Sequence, residues 1–150
     1  MSQSLVKNLM HLIFSTKRRE PVITDAVRPE LHAYMAGILQ DLDSPALTIN
    51  SVADHVHILL NLDKDTALAK VVMEVKRGSS KWIKTQGSAF RLFHWQSGYG
   101  GFSISQSAVT RVEKYIARQA NHHRKATFQD EFRVFLGRYE VEYNERYVWD

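Results

Sequence analysis

The 150-residue sequence contains no cysteine. The chain can therefore form no disulfide and no thiolate metal site, so any metal ion must be held by imidazole, carboxylate or amide groups. The absence of cysteine is compatible with a reducing compartment, and we expect a cytoplasmic protein.

Proline and glycine are also scarce, with three and seven residues, which argues against a disordered chain. No apolar run is long enough to cross a membrane, and no apolar signal region precedes a cleavage site at the N-terminus. An apolar content of 44% predicts a single globular domain with a sizeable core. The net charge of +4 is a mild excess that suits a polyanionic partner without proving one.

Residues 54–60, with the sequence DHVHILL, are typical of a β-strand. Alternation along a strand sends Val56 and Ile58 to the core and places His55 and His57 together on the other face, about 6–7 Å apart at their Cα atoms. Two imidazoles at this spacing can bind one divalent metal ion. The alternative is a pair of histidines on a half-exposed strand face with no ligand.

Hydrophobic periodicity predicts the element order β-α-β-β-α-β, followed by further helices. Strands are predicted at residues 5–16, 46–52, 55–62 and 102–105, and helices at residues 25–42, 66–86, 106–122 and 128–139. This order predicts an α+β, ferredoxin-like (RRM-like) fold with an antiparallel sheet. The first and third strands are central in that fold, so the histidines should lie mid-sheet, on the face away from the packed helices.

The helix predicted at residues 106–122 carries Tyr115 and Gln119 at i and i+4 along one flank. Gln119 should lie one turn, ~6 Å, beyond Tyr115 on that helix. A tyrosine hydroxyl has an ordinary pKa of about 10 and is a weak nucleophile unless it is activated. One helix could therefore deliver a metal ligand and a nucleophile together.

With these motifs the sequence resembles the single-tyrosine HUH transposases, the IS200-like (TnpA-like) insertion-sequence enzymes that move as single-stranded DNA. Residues 55–57 (His-Val-His) match the HUH element and residues 115–119 (Tyr-Ile-Ala-Arg-Gln) match the tyrosine motif. Weaker similarities lie at residues 11–17, 76–81 and 95–99. The resemblance implies one transposase domain, with a core at about 5–124 and a C-terminal helix and tail at 125–150.

The resemblance also implies a mechanism. His55, His57 and Gln119 would hold Mg²⁺ or Mn²⁺. Tyr115 would attack a DNA phosphate, form a covalent 5′-phosphotyrosine bond and release a 3′-OH, and the reverse attack would rejoin strands. Asp54 is either a further group near the metal or a turn residue that caps the hairpin. The family implies a homodimer, in some members with the tyrosine helix against the partner's histidines.

The resemblance implies a partner, single-stranded DNA with hairpins near element ends, and a bacterial or archaeal cell, where the protein would associate with the nucleoid. Basic side chains at two places are candidate DNA contacts, or else ordinary solvated surface: Lys17, Arg18, Arg77, Lys81 and Lys84. Two other functions stay open. One is a non-catalytic ferredoxin-like module that binds single-stranded nucleic acid. The other is a domesticated relative that processes hairpin repeats in the host genome.

Overall fold

The structure, a computed structural model, describes residues 2–122 and 126–150. The strands in these ranges are β1 (Leu9–Ser15), β2 (Ala46–Ser51), β3 (His55–Asn61) and β4 (Gly100–Ser103). The α-helices are α1 (Arg28–Asp41), α2 (Leu68–Ile83), α3 (Val109–Ala117), α4 (Gln119–His122) and α5 (Phe128–Arg138). Every helix in these ranges is too short or too polar to cross a lipid bilayer.

The four strands form one sheet in the order β2-β3-β1-β4, and each neighbouring pair is antiparallel. This order and these directions confirm the predicted α+β, ferredoxin-like arrangement. Strands β1 and β3 are the central pair, also as predicted, and His57 lies opposite Ile13 in their register. The histidine pair is therefore in the middle of the sheet.

Alternation along the central strands gives the sheet two different faces. Leu12 and Ile58 point to one face, where α1 and α2 pack over the main hydrophobic core. His55 and His57 point to the opposite face, as predicted, and helices α3 and α5 cover it. Both histidines are 0% exposed, so the alternative of a half-exposed strand face is wrong.

Helix α5 is held on the histidine face by its apolar side chains. Four of them form a cluster with Ile13 and Phe102 of the sheet, namely Phe128, Phe132, Phe135 and Leu136. A Cβ atom added to Gly100 would lie 2.5 Å from the Phe132 ring, so glycine at this position of β4 permits the close approach. Thr127 caps the helix, because its Oγ1 accepts a hydrogen bond from the Asp130 backbone N–H.

The tyrosine helix differs from the prediction of one continuous helix over 106–122. Helix α3 ends at Ala117, Arg118 adopts φ −95° and ψ 16°, and α4 begins at Gln119. The Arg118 backbone N–H lies 3.2 Å from both the Lys114 and the Tyr115 carbonyl oxygens, which tightens the last turn. Tyr115 and Gln119 therefore belong to two successive helices.

Other element boundaries shift by a few residues from the predicted ones. Strand β1 begins at Leu9 rather than at residue 5, and β4 runs from Gly100 to Ser103 rather than over 102–105, because its pairing with β1 sets the register. The predicted limit between core and tail, at 124–125, falls on residues outside the two described ranges.

The C-terminal tail after α5 returns to the body of the protein. The Trp149 ring centroid lies 6.0 Å from that of Phe132 and 6.4 Å from that of Phe128. The guanidinium of Arg133 lies 5.0 Å from the centre of the Trp149 ring. The tail thus packs on α5 from outside and adds to the cover over the histidine face.

Candidate active site

The two strand histidines are held by different partners through the same ring nitrogen. Asp54 Oδ1 lies 2.6 Å from His55 Nδ1, and His11 Nε2 lies 2.8 Å from His57 Nδ1. The Nε2 atoms of both imidazoles consequently face a common point beneath α5. Asp54 thus orients an imidazole, in the way that outer carboxylates orient metal-binding histidines.

Glu131 of α5 reaches the histidine pair, and sequence analysis missed it. Glu131 is 3% exposed, and its Oε1 lies 2.9 Å from His57 Nε2 and 3.5 Å from His55 Nε2. One signal could have revealed it: Glu131 interrupts the apolar stripe that runs from Phe128 to Phe135. An acidic residue on a buried helix face requires a polar partner.

The three groups have the geometry of a metal-binding cluster. One ligand atom from each of His55, His57 and Glu131 can be chosen so that all lie within 4.8 Å of one another. Two imidazole nitrogens and a carboxylate oxygen form a donor set that suits Mn²⁺, Mg²⁺ or Zn²⁺. The residues present therefore match a divalent ion.

Tyr115 joins the same cluster from α3. Its hydroxyl donates a hydrogen bond to Glu131 Oε2, and its ring centroid lies 5.9 Å from that of His57. Burial, together with the hydrogen bond to Glu131, raises the pKa of Tyr115 above its ordinary value of 10.0. The phenol is therefore protonated at neutral pH in this arrangement. The convergence occurs within a single chain.

Gln119 is buried beside Tyr115, although the two residues lie on different helices. Its Nε2 lies 3.4 Å from the Tyr115 backbone oxygen, to which it donates. A hydrogen bond from the Gln119 side chain also acts on the tyrosine, in the direction that lowers its pKa. Glu131 Oε1 lies within 3.5 Å of the Nε2 atoms of both histidines, so Glu131 rivals Gln119 as the candidate third ligand.

The pKa values of His11 and His55 are shifted in opposite directions. Burial, with the neighbouring His57, lowers the pKa of His11 to about 3, so this ring is neutral at pH 7. Burial also acts to lower the pKa of His55, but the hydrogen bonds to Asp54 and Glu131 outweigh it and raise the pKa. His55 therefore keeps its proton to a higher pH than a free histidine, and a metal ion would have to displace that proton.

The basic candidates lie at two separate places in the structure. Lys17 and Arg18 are exposed in the turn after β1, next to Thr16, whose N–H donates to the Asp54 carbonyl 2.8 Å away. The other three candidates are exposed on α2 or just after it, namely Arg77, Lys81 and Lys84. Helix α2 packs on the opposite face, so only the first two lie near the histidine strand.

A protein-family model described as IS200-like transposase matches residues 4–119 of this sequence. The chain belongs to the IS200-like transposase family. The matched segment includes both strand histidines and Tyr115 and ends at Gln119. Glu131 and the rest of α5 lie beyond its end.

This IS200-like transposase is also similar to individual proteins. It is 25% identical over 114 residues to ISDra2 transposase TnpA of Deinococcus radiodurans, a match that covers 73% of this chain and 81% of the relative. A crystal structure assigned to a transposase from the same organism superposes with a TM-score of 0.62 at 21% identity, covering 79% of this chain and 98% of the other.

A second solved structure is a REP-associated tyrosine transposase bound to a REP hairpin. It has a TM-score of 0.60 at 15% identity and covers 82% of this chain and 74% of the other. At these identities the two solved structures establish that the fold is shared.

Proposed function

We propose that this transposase cleaves and rejoins single-stranded DNA through a covalent 5′-phosphotyrosine bond to Tyr115, with a divalent metal ion held by the strand histidines. The observation that supports the proposal is the meeting of Tyr115, His57 and Glu131 on the buried sheet face. The nucleophile Tyr115 comes from α3 and the two histidines come from β3, which are far apart in the sequence.

The metal would be Mg²⁺ or Mn²⁺. His55 and His57 would hold it through their Nε2 atoms, and the third ligand would be Glu131 or, as the resemblance implies, Gln119. When bound, such an ion would neutralise charge on the scissile phosphate and assist the leaving oxygen. Asp54 and His11 would keep the two imidazoles oriented toward the ion.

The tyrosine performs the covalent step. The Tyr115 Oη atom attacks phosphorus, the bond from phosphorus to the 3′ oxygen breaks, and the 3′ oxygen leaves and takes up a proton from solvent to become the 3′-OH. Glu131, which already accepts the phenol hydrogen bond, can take the proton from Oη. In the rejoining step a 3′-OH attacks the phosphotyrosine and releases the phenol. The number of phosphodiester-type bonds is unchanged, so neither step requires ATP.

The proposed substrate is single-stranded DNA that carries a hairpin. The REP-associated relative bound to a REP hairpin supports this class of DNA, both for a mobile-element enzyme and for a domesticated relative that processes repeats. Lys17 and Arg18 are proposed phosphate contacts, because they are exposed beside the strand that carries the histidines. Arg77, Lys81 and Lys84 are proposed as more distant contacts. We also propose a homodimer, on the family resemblance.

The deciding experiment is capture of the covalent adduct. Labelled oligonucleotides that cover the palindromes flanking the gene are incubated with protein and Mn²⁺, and denaturing gels detect an adduct that resists SDS. We expect the adduct with the wild type and with Tyr99→Phe, an exposed control tyrosine, and its loss in Tyr115→Phe with DNA binding retained. An adduct in Tyr115→Phe would show that another residue is the nucleophile.

The same assay separates the enzyme from a non-catalytic binding module. A pure nucleic-acid-binding protein would bind the oligonucleotides, form no adduct with any of them, and show no Mn²⁺ site that depends on His55 and His57. Either an adduct or such a site excludes that alternative.

A further inference from the structure

A cavity of about 430 Å³ opens beside the Tyr115 phenol, between the end of β4, α3 and α5. His11 and the Phe135 ring lie at its inner side, and Tyr139 lines it from the end of α5. Its volume is within the range of roughly 300–1,000 Å³ that small-molecule sites occupy. Its outer residues Arg111, Arg138 and Tyr139 are not part of the cluster formed by His55, His57 and Glu131.

The cavity carries an excess of positive charge. Arg111 of α3 and Arg138 of α5 both line it, and both side chains are exposed. Neither guanidinium has a carboxylate within ion-pair distance among the residues at 2–122 and 126–150. The positive charge of Arg138 acts on the Tyr115 hydroxyl in the direction that lowers its pKa. Two guanidiniums with open donors, placed beside a nucleophile, suit an anion such as a phosphodiester.

The cavity also offers an aromatic surface in a fixed position. The Tyr139 hydroxyl donates to the Ser103 carbonyl oxygen at 3.0 Å, and the ring rests on Phe102 with centroids 4.8 Å apart. The Tyr139 side chain nevertheless stays 40% exposed. An anchored ring with an open surface can stack on a planar ligand without losing much side-chain freedom.

We propose that this cavity binds the base and a flanking phosphate of one unpaired nucleotide, adjacent in the strand to the phosphate that Tyr115 attacks. The proposal rests on the proposed function, which places single-stranded DNA at Tyr115. Tyr139 stacks on the base, while Arg111 and Arg138 bind the phosphate. Unpaired bases expose their π faces, and stacking on an aromatic side chain accepts any base.

The phosphate half of the proposal is tested with fluorescein-labelled dT5 and fluorescence anisotropy, in the Tyr115→Phe background so that no adduct forms. Arg111→Gln and Arg138→Gln should each weaken binding and reduce the slope of log affinity against log salt by about 1. Lys114→Gln is the matched control, because it removes one positive charge from α3 outside the cavity. Equal effects of all three variants would overturn the phosphate assignment.

The base half is tested by comparing dT5 with an abasic pentamer of equal charge. We expect Tyr139→Leu to weaken dT5 binding by at least about 5-fold, the lower limit for one stacked base. Binding of the abasic pentamer should change little. Tyr139→Phe should keep the affinity, and Tyr143→Leu, an exposed tyrosine outside the cavity, is the control. The advantage of dT5 over the abasic pentamer must therefore shrink in Tyr139→Leu.

Two outcomes would overturn the base assignment. One is equal affinity of the wild-type cavity for dT5 and the abasic pentamer, a comparison that needs no cavity variant and so does not depend on the folding of Tyr139→Leu. The other is a Tyr139→Leu variant that binds dT5 like Tyr143→Leu. In either case, formation of the Tyr115 adduct by the wild type would still support the proposed function. Absence of the adduct would contradict the proposed function, whatever the cavity binds.

Discussion

His11 and His57 form a hydrogen bond across the two central strands, with 2.8 Å between His11 Nε2 and His57 Nδ1. In the β1–β3 register His11 lies opposite Leu59, so the two histidines are diagonal neighbours on one face of the sheet. The contact occupies Nδ1 of His57 and leaves its Nε2 directed at Glu131. His11 therefore orients the His57 imidazole toward Glu131.

We predict that His11→Leu lowers the affinity for Mn²⁺ by roughly 10- to 100-fold, the usual cost of losing a partner that orients a ligand. Electron paramagnetic resonance of free Mn²⁺ during titration measures the affinity without any DNA. His94→Leu, an exposed histidine, is the control and should change nothing. His11→Gln, which can still hydrogen-bond to His57, should recover part of the affinity, and an unchanged affinity in His11→Leu would remove this role.

The second prediction decides between Glu131 and Gln119 as the third ligand. Glu131 Oε1 is 2.9 Å from His57 Nε2, so we expect Glu131→Gln to weaken Mn²⁺ binding by more than about tenfold. Tenfold is the lower end of the loss expected when a residue that only orients a metal ligand is removed. Gln119→Ala should have the smaller effect, because its amide bonds to Tyr115. Isothermal titration calorimetry measures both variants. The reverse order would return the ligand role to Gln119.

The third prediction concerns the pH dependence of metal binding. The pKa of His55 is raised above 6.5, so the proton that the metal must displace stays bound to a higher pH than in a free histidine. Mn²⁺ affinity should therefore rise with pH through the range above 6.5. Asp54→Asn removes a carboxylate that raises this pKa, so the rise should move to lower pH. Titrations between pH 6 and 8.5 check both, and superimposable curves would contradict the role of Asp54.

The fourth prediction concerns folding stability and lies away from the site. Burial, with the charge of Arg28, lowers the pKa of His32 from 6.5 to about 4, and its Nε2 lies 2.7 Å from Ser51 Oγ. The unfolded chain binds the proton first on acidification, so the free energy of unfolding should fall as the pH drops from about 6.5 to about 4. Urea denaturation of the wild type measures the fall, which should be smaller in His32→Gln. Identical pH profiles would show that His32 does not titrate in this way.

Much of the fold could be predicted because it depends on local periodicity. Alternation over residues 54–60 placed the histidines on one face, and hydrophobic periodicity predicted the helix at residues 66–86 that the structure has at Leu68–Ile83. The break at Arg118 could not be seen, because a helix that ends and restarts keeps almost the same spacing of side chains. The Tyr115–Gln119 spacing therefore indicated one helix where there are two.

The sequence by itself determined which side chains could form the site: two histidines on one strand face and a tyrosine with a glutamine four positions later. Only the tertiary structure decided that Glu131 lies among them. The packing of α5 on the sheet brings Glu131 to His57, 74 positions away in the sequence. Spacing along the chain reports what one strand or helix presents to its surroundings. It does not report which second element packs on that face, since this depends on how apolar surfaces fit together across the whole domain.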